Sequence, residues 1–139
     1  MNVVVDTSVW SLALRRRRSS TTAHALELAE LIGEGRAAML GPVRQELLSG
    51  VPAPQQYEAL RDHLRAFPDV ALVEEDYEEA AVFFNRCRAR GVQGSNTDFL
   101  ICAVATRRRL GILTTDTDFL HFAKVLPIQL LSPRESLSG

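Results

Sequence analysis

The stretch LGILTTDTDF, residues 110–119, joins a short apolar run to a threonine-rich turn that carries two carboxylates, Asp116 and Asp118. A short apolar run bounded by turn-forming residues is typical of a buried strand in a parallel sheet. Two like charges this close raise the pKa of at least one carboxyl group unless a cation or hydrogen-bond donors compensate. The segment therefore predicts a strand that ends in an acidic site, either well solvated or occupied.

A second apolar run of the same kind, rich in β-branched residues, covers residues 2–5 and is followed directly by Asp6. Similar runs at residues 37–40, 70–73 and 128–131 predict further strands. Apolar residues recur at helical spacing between the strands, with predicted helices on residues 9–14, 25–32, 42–49, 57–67, 74–87, 99–105 and 119–125. Asn96 or Thr97 is the predicted N-cap of the helix that includes residues 99–105. This alternation predicts an α/β fold, a three-layer sandwich whose mostly parallel central sheet is flanked by helices.

The composition of the 139-residue chain, with 46% hydrophobic and 24% charged residues, is that of an ordinary globular protein. A chain of this length buries enough surface to fold without disulfides, so we predict a single domain over residues 1–139. The formal net charge of −1 gives no overall attraction to a polyanion. Any nucleic-acid binding would therefore depend on local basic patches.

The two cysteines, Cys87 and Cys102, lie in helical apolar patterns and have no metal-ligand spacing. They are predicted to be buried free thiols, which suits a reducing compartment. The N-terminus begins with a strand-like run, not with a basic and then apolar signal segment, and no run is long enough to cross a membrane. A cytoplasmic protein without membrane association is expected.

Three acids are predicted to lie where an α/β fold binds ligands. Asp6 and Asp116 follow predicted strands, and ligands of open α/β sheets gather at the carboxyl ends of the strands. Asp98 lies in the first turn of the most apolar helix, which anchors it beside the core. No lysine or arginine lies within a helical turn of Asp6 or Asp116 in the sequence, so a bound cation is the simpler compensation. Oxygen ligands without histidine or cysteine favour Mg²⁺ or Mn²⁺.

Each acid also has an ordinary structural explanation. Asp6 and Asp118 could be helix caps, and Asp98 could be a first-turn partner of the helix dipole. Glu46 could be an exposed helical residue. The four acids Asp6, Glu46, Asp98 and Asp116, taken in their order along the chain, indicate a function more specifically than any one of them alone.

This set resembles the PIN-domain family, particularly the VapC-type ribonuclease toxins of bacterial toxin-antitoxin pairs. The resemblance spans nearly the whole chain and rests on four motifs: Asp6 in VVVDTSVW, Glu46 in GPVRQELLSG, Asp98 in NTDFLICAVA and Asp116 in LTTDTDF. It implies a PIN-like fold and a metal-dependent endoribonuclease whose four acids form a pocket around Mg²⁺ or Mn²⁺.

The resemblance also implies a role for each acid. Asp6 and Asp98 would be direct metal ligands, and Asp116 would bind a second metal or a metal-bound water. Glu46 would orient or deprotonate the attacking water. Three further residues would support this pocket: Ser8, Thr114 and Asp118. The hydroxyl groups among them would hydrogen-bond the carboxylates.

Three partners follow from the same resemblance. They are an RNA substrate, a small VapB-type antitoxin whose tail lies across the pocket, and a second copy of the chain in a homodimer. We hypothesise that the RNA is structured and exposes a loop, since unpaired bases are the usual targets of sequence-specific RNA recognition.

Two arginine runs, at residues 15–18 and 107–109, are candidate contacts to an RNA backbone. The second run suits the dipole at a helix C-terminus, and its roughly 13–16 Å from Asp98 argues against a direct catalytic role. The first run is the stronger candidate, since four adjacent cations cannot share one helix face: Arg15, Arg16, Arg17 and Arg18. Trp10 and Phe119 could stack on a base, although single aromatic residues at apolar helical positions more often belong to the core.

Two other functions fit part of this sequence pattern. A haloacid-dehalogenase-like phosphatase would place a second aspartate two positions after Asp6, where Ser8 stands, and the chain has no lysine except Lys124. A noncatalytic PIN-like module would bind RNA or a protein through the same groove. Retention of the full acidic set argues against the module, because binding alone gives no chemical reason to keep it.

Overall fold

The computed structural model describes residues 1–14 and 22–135 of the chain. Within these ranges three strands form one sheet: β1 at Val3–Val5, β2 at Ala37–Ala38 and β3 at Gly111–Leu113. Strand β1 is central, and it pairs in parallel with β2 on one side and β3 on the other. The prediction of a parallel central sheet is confirmed.

Seven helices flank the sheet in the described part of the chain. They are α1 at Thr7–Leu14, α2 at Ala23–Gly33, α3 at Gly41–Ser49, α4 at Pro54–Leu64, α5 at Glu74–Ala89, α6 at Asn96–Arg108 and α7 at Asp118–Phe122. Among these described helices, none is long and apolar enough to cross a membrane.

The core is one cluster of buried side chains from the sheet and the flanking helices, and α6 contributes a continuous run of it. All three residues of β1 are buried, and so is every residue of α6 from Phe99 to Ala105. A helix that is apolar on all sides must be covered on all sides, and α6 packs chiefly against α5. The burial of Cys87 and Cys102 as free thiols is confirmed. Trp10 and Phe119 are also buried, so both aromatic rings belong to the core.

The predicted strand at residues 70–73 is wrong. This segment touches the sheet edge only through a bridge between Met39 and Asp69 and one hydrogen bond, from the Val70 N–H to the Met39 carbonyl at 2.9 Å. Val73 then serves as the N-cap of α5. The apolar run is too close to this helix start to continue along the sheet.

The predicted strand at residues 128–131 is also wrong. It makes one bridge, between Ile112 and Leu130, and does not extend into a strand. Two predicted helices are too long at their C-terminal ends: residues 57–67 end as a helix at Leu64, and residues 119–125 end as a helix at Phe122.

Candidate metal-binding and catalytic site

The carboxyl ends of β1 and β3 lie side by side, and an acid follows each strand. Val5 is opposite Leu113 in the parallel register, and the backbone N–H of Asp6 donates to the Leu113 carbonyl at 2.9 Å. The Asp6 residue is only 5% exposed. Asp116 lies three residues beyond the end of β3, at the same edge of the sheet. Strand pairing therefore brings together two acids that are 110 positions apart in the chain.

Two hydroxyl groups hold the Asp6 carboxylate. The Ser8 and Thr114 hydroxyls each donate to Asp6 Oδ2 at 2.8 Å. Each hydroxyl also accepts a backbone N–H, from Thr115 at 3.1 Å for Ser8 and from Asp116 at 3.0 Å for Thr114. Because both donors are neutral, they orient the buried carboxylate without cancelling its charge.

Asp98 reaches the site from the first turn of α6. Its N–H donates to the Ser95 hydroxyl at 3.1 Å, and its Oδ2 accepts the Ser95 N–H at 3.0 Å, which forms a reciprocal capping box. The predicted caps, Asn96 or Thr97, are therefore wrong by one or two residues. An N-cap side chain bonds the N–H three residues later, and the residue three positions before Asp98 is Ser95.

The electrostatics of Asp98 show that the acids act on one another. Burial raises the pKa of Asp98, and the negative charges of Asp6 and Asp116 raise it further, against hydrogen bonds to Ser95 that lower it. Three distant segments of the chain thus contribute charge to one region. The structure places Asp6 and Asp116 near enough to Asp98 for their charges to raise its pKa.

Asp118 lies at the rim of the site, as the exposed first residue of α7. Its N–H donates to Asp116 Oδ1 at 2.9 Å, and the N-cap of α7 is Thr117. The interpretation of Asp118 as a helix cap is therefore wrong. The Asp6 side chain does not cap α1 either, since its described partners are Ser8 and Thr114.

Glu46 is exposed on helix α3, and its Oε1 accepts a hydrogen bond from the Thr7 hydroxyl at 3.0 Å. Thr7 follows Asp6 directly, so this bond ties Glu46 to the loop that carries the buried acid. Thr7 was missed by the sequence reasoning. Its position between Asp6 and Ser8 in the D-T-S stretch was the available signal.

The charges of this site fit a hard divalent cation. Among the ion pairs of the described residues, none involves Asp6, Asp98 or Asp116. Oxygen-only donors with uncompensated negative charge are the ligands that Mg²⁺ and Mn²⁺ prefer. In residues 1–14 and 22–135, however, no group of three or more acidic, histidine or cysteine side chains is arranged as a ready metal cage. The donor chemistry of the three acids suits such an ion, whereas their arrangement in the described residues does not enclose one.

The two arginine runs, at residues 15–18 and 107–109, were both candidate contacts to RNA, and the structure describes only the second. Residues 15–18 lie outside the described residues, so RNA contact by Arg15, Arg16, Arg17 and Arg18 stays a prediction. The guanidinium groups of Arg107 and Arg108 bind the buried Asp76 carboxylate, with N···O distances of 3.0 and 2.7 Å. These two arginines therefore serve the packing of α6 against α5.

Comparison with known proteins agrees with this architecture. The family model described as PIN domain matches residues 3–125, and the chain belongs to this family. Ribonuclease VapC11 of Mycobacterium tuberculosis is 29% identical over 136 residues, which is 95% of this chain and 99% of that protein. The predicted membership of the PIN-domain family is thus confirmed.

Two solved structures share the fold. VapBC2 from Rickettsia felis, bound to a DNA fragment from its promoter, superposes with a TM-score of 0.74 at 16% identity, covering 97% of this chain and 100% of that one. A toxin-antitoxin complex from Klebsiella pneumoniae superposes with a TM-score of 0.65 at 18% identity, covering 96% of this chain and 99% of that one. At these identities the likeness concerns the fold, and it confirms the predicted α/β architecture.

Proposed function

We propose that this protein is a metal-dependent endoribonuclease and the toxin of a toxin-antitoxin pair. The observation that carries the proposal is the position of Asp6 and Asp116 at the carboxyl ends of two adjacent strands, with Asp98 in α6 near enough for their charges to raise its pKa. Among the described residues, no ion pair compensates these three acids. Membership of the PIN domain family and the similarity to a VapC ribonuclease support it.

The proposed cofactor is Mg²⁺ or Mn²⁺, held by Asp6, Asp98 and Asp116. When bound, such an ion makes water more acidic and neutralises negative charge on the phosphate group. The role of Ser8 and Thr114 is to hold Asp6 Oδ2 in place, so that the carboxylate is oriented before any ligand arrives. A preorganised carboxylate loses less freedom when it binds.

Glu46 is the proposed general base in this site. Its exposed carboxylate is bonded to Thr7, the residue after Asp6, which supports a role for Glu46 in accepting the proton that the attacking water loses. Asp118 would support the rim by positioning the turn after Asp116, to whose side chain its N–H is bonded.

The proposed substrate is RNA, and the proposed protein partners are a VapB-type antitoxin and a second copy of the chain. The solved structures with this fold include toxin-antitoxin complexes, which supports the antitoxin. The second copy of the chain is proposed from membership of the PIN domain family. The cytoplasm, where such a partner and substrate would be found, is the proposed location.

The direct test is cleavage of RNA by the purified protein. We expect the wild type to cut RNA in millimolar Mg²⁺ or Mn²⁺ and to stop when EDTA is added. Asp98→Asn should lower the rate by at least about 100-fold, since it removes a ligand charge with little change in shape. Asp62→Asn, at an exposed acid on α4, is the matched control and should cleave like the wild type.

Three outcomes of this test count against the proposal. Full activity of Asp98→Asn would contradict the assigned site. Cleavage that persists in EDTA would contradict the metal. A folded wild type that binds RNA but does not cut it, while a control nuclease is active in the same buffer, would favour the noncatalytic module.

A further inference from the structure

The hydrogen bond between Thr7 and Glu46 links two helices that are far apart in the sequence. Thr7 is the first residue of α1, and Glu46 lies in the second half of α3, 39 positions later. The Thr7 hydroxyl donates to Glu46 Oε1 at 3.0 Å. No ion pair involving Glu46 exists among the residues that the structure describes. Thr7 is thus its hydrogen-bond partner within this part of the chain.

An exposed glutamate without a partner samples many rotamers. Fixing such a side chain costs up to about 2 kcal/mol of conformational entropy, so an unheld carboxylate spends little time in any one position. A neutral hydroxyl is suited to this task because it restrains the carboxylate without an opposing charge. An arginine in its place would form an ion pair and stabilise the ionised glutamate against accepting a proton.

The two residues after Asp6 hydrogen-bond different acids. Ser8 donates to Asp6, whereas Thr7 donates to Glu46. Successive residues of a helix are turned by about 100°, so adjacent hydroxyls at a helix start reach in different directions. The D-T-S stretch therefore supplies the Asp6 carboxylate and two hydroxyl donors. The Ser8 hydroxyl bonds Asp6, and the Thr7 hydroxyl bonds Glu46.

We propose that Thr7 is a positioning residue that holds Glu46 beside Asp6, in the orientation from which Glu46 takes a proton from the attacking water. This inference rests on the proposed nuclease function. It adds a residue that acts through Glu46 and does not itself touch the metal or the RNA.

The test compares Thr7→Val with Thr7→Ser. Valine keeps the β-branched shape and loses the hydroxyl, whereas serine keeps the hydroxyl. Steady-state cleavage of a fluorogenic RNA should show kcat lowered about 10- to 100-fold in Thr7→Val, with KM changed less than about threefold, because misplacing a catalytic group slows the chemical step. Thr7→Ser should restore kcat to within about threefold of the wild type.

A double-mutant comparison separates positioning from a general structural effect. If Thr7 acts through Glu46, then Thr7→Val should have almost no further effect on kcat in a Glu46→Gln background. Melting temperatures of all variants should be within a few degrees of one another. An equal fold-loss in both backgrounds would show that Thr7 acts independently of Glu46 and would overturn the proposal.

The outcomes also separate this inference from the proposed function. A wild type that cleaves while Thr7→Val cleaves at the same rate overturns the positioning role alone. A folded wild type that cuts no RNA with either metal overturns both. If Thr7→Val fails to fold, Thr7→Ser and Thr7→Ala take its place, and activity in alanine equal to that in serine contradicts the role of the hydroxyl.

Discussion

At the residue scale, Asp98 is the acid of the site at which charge repulsion and burial act against the stability of the folded protein. Its pKa is raised by burial and by the charges of Asp6 and Asp116, which means that the fold disfavours the charged form of this carboxyl group. A group needed for ligand binding commonly lowers the stability of the unliganded protein.

Replacing that charge should therefore stabilise the metal-free protein. We expect Asp98→Asn to raise the melting temperature in EDTA by a few degrees, since the amide oxygen can still accept the Ser95 N–H while the repulsion is removed. Thermal unfolding followed by circular dichroism measures the effect. A lower melting temperature in EDTA would show that the capping bond outweighs the charge repulsion.

At the scale of elements, Asp76 joins the start of α5 to the end of α6. Its fully buried carboxylate accepts hydrogen bonds from Arg107 at 3.0 Å and from Arg108 at 2.7 and 2.9 Å. Its Oδ2 also accepts the Val73 N–H at 2.9 Å, which caps α5. One side chain thus satisfies a helix terminus and fixes two helices against each other.

Removal of this carboxylate should weaken the whole fold. We expect Asp76→Ala to lower the free energy of unfolding by about 2 to 4 kcal/mol, below the largest losses for buried pairs because both arginines are partly exposed. Glu75→Ala, at the exposed acid one position earlier, is the control and should change it by less than about 0.5 kcal/mol. Urea denaturation gives both values, and equal losses would contradict the assigned role.

The same carboxylate predicts how stability depends on pH. The hydrogen bond from Arg108, with further help from Val73 and Arg107, holds the pKa of Asp76 well below its usual range against the opposing effect of burial. The folded-state pKa is lower than the unfolded one, so this stabilisation is complete above about pH 4 and is lost as the pH falls below it. The wild type should lose stability below pH 4 more steeply than Asp76→Ala.

At the scale of the whole molecule, a bound ion would connect three parts of the chain. Asp6 follows β1, Asp98 lies in the first turn of α6 and Asp116 follows β3, so unfolding must separate the proposed ligands. Any ion that binds only the folded state stabilises it, by about 2.7 kcal/mol at a concentration 100 times its Kd.

Millimolar Mg²⁺ or Mn²⁺ should accordingly raise the melting temperature of the wild type by several degrees. Asp6→Asn, which removes one ligand charge, should show a much smaller rise, whereas Asp62→Asn on the surface should respond like the wild type. Differential scanning calorimetry with and without the metal makes the comparison. An equal rise in Asp6→Asn would indicate binding elsewhere.

The sequence by itself determined the elements that local patterns report. The buried strands β1 and β3, the amphipathic helices and the acids at the strand ends were all readable, because burial imposes a period on apolar residues and strand ends have a known place in an α/β fold. The apolar runs at residues 70–73 and 128–131 were wrongly predicted as strands, because an apolar run has the same sequence pattern in a full strand and beside a single bridge.

Only the tertiary structure decided which side chains meet. The bonds from Thr7 to Glu46, from Thr114 to Asp6 and from Arg108 to Asp76 span 39, 108 and 32 positions, respectively. Such contacts depend on strand register and helix packing, which are set by the burial of many residues at once. No local pattern encodes them. The acids and the supporting hydroxyls of Ser8 and Thr114 could be named from the family resemblance, whereas the pairing of Thr7 with Glu46 and of Arg108 with Asp76 could not.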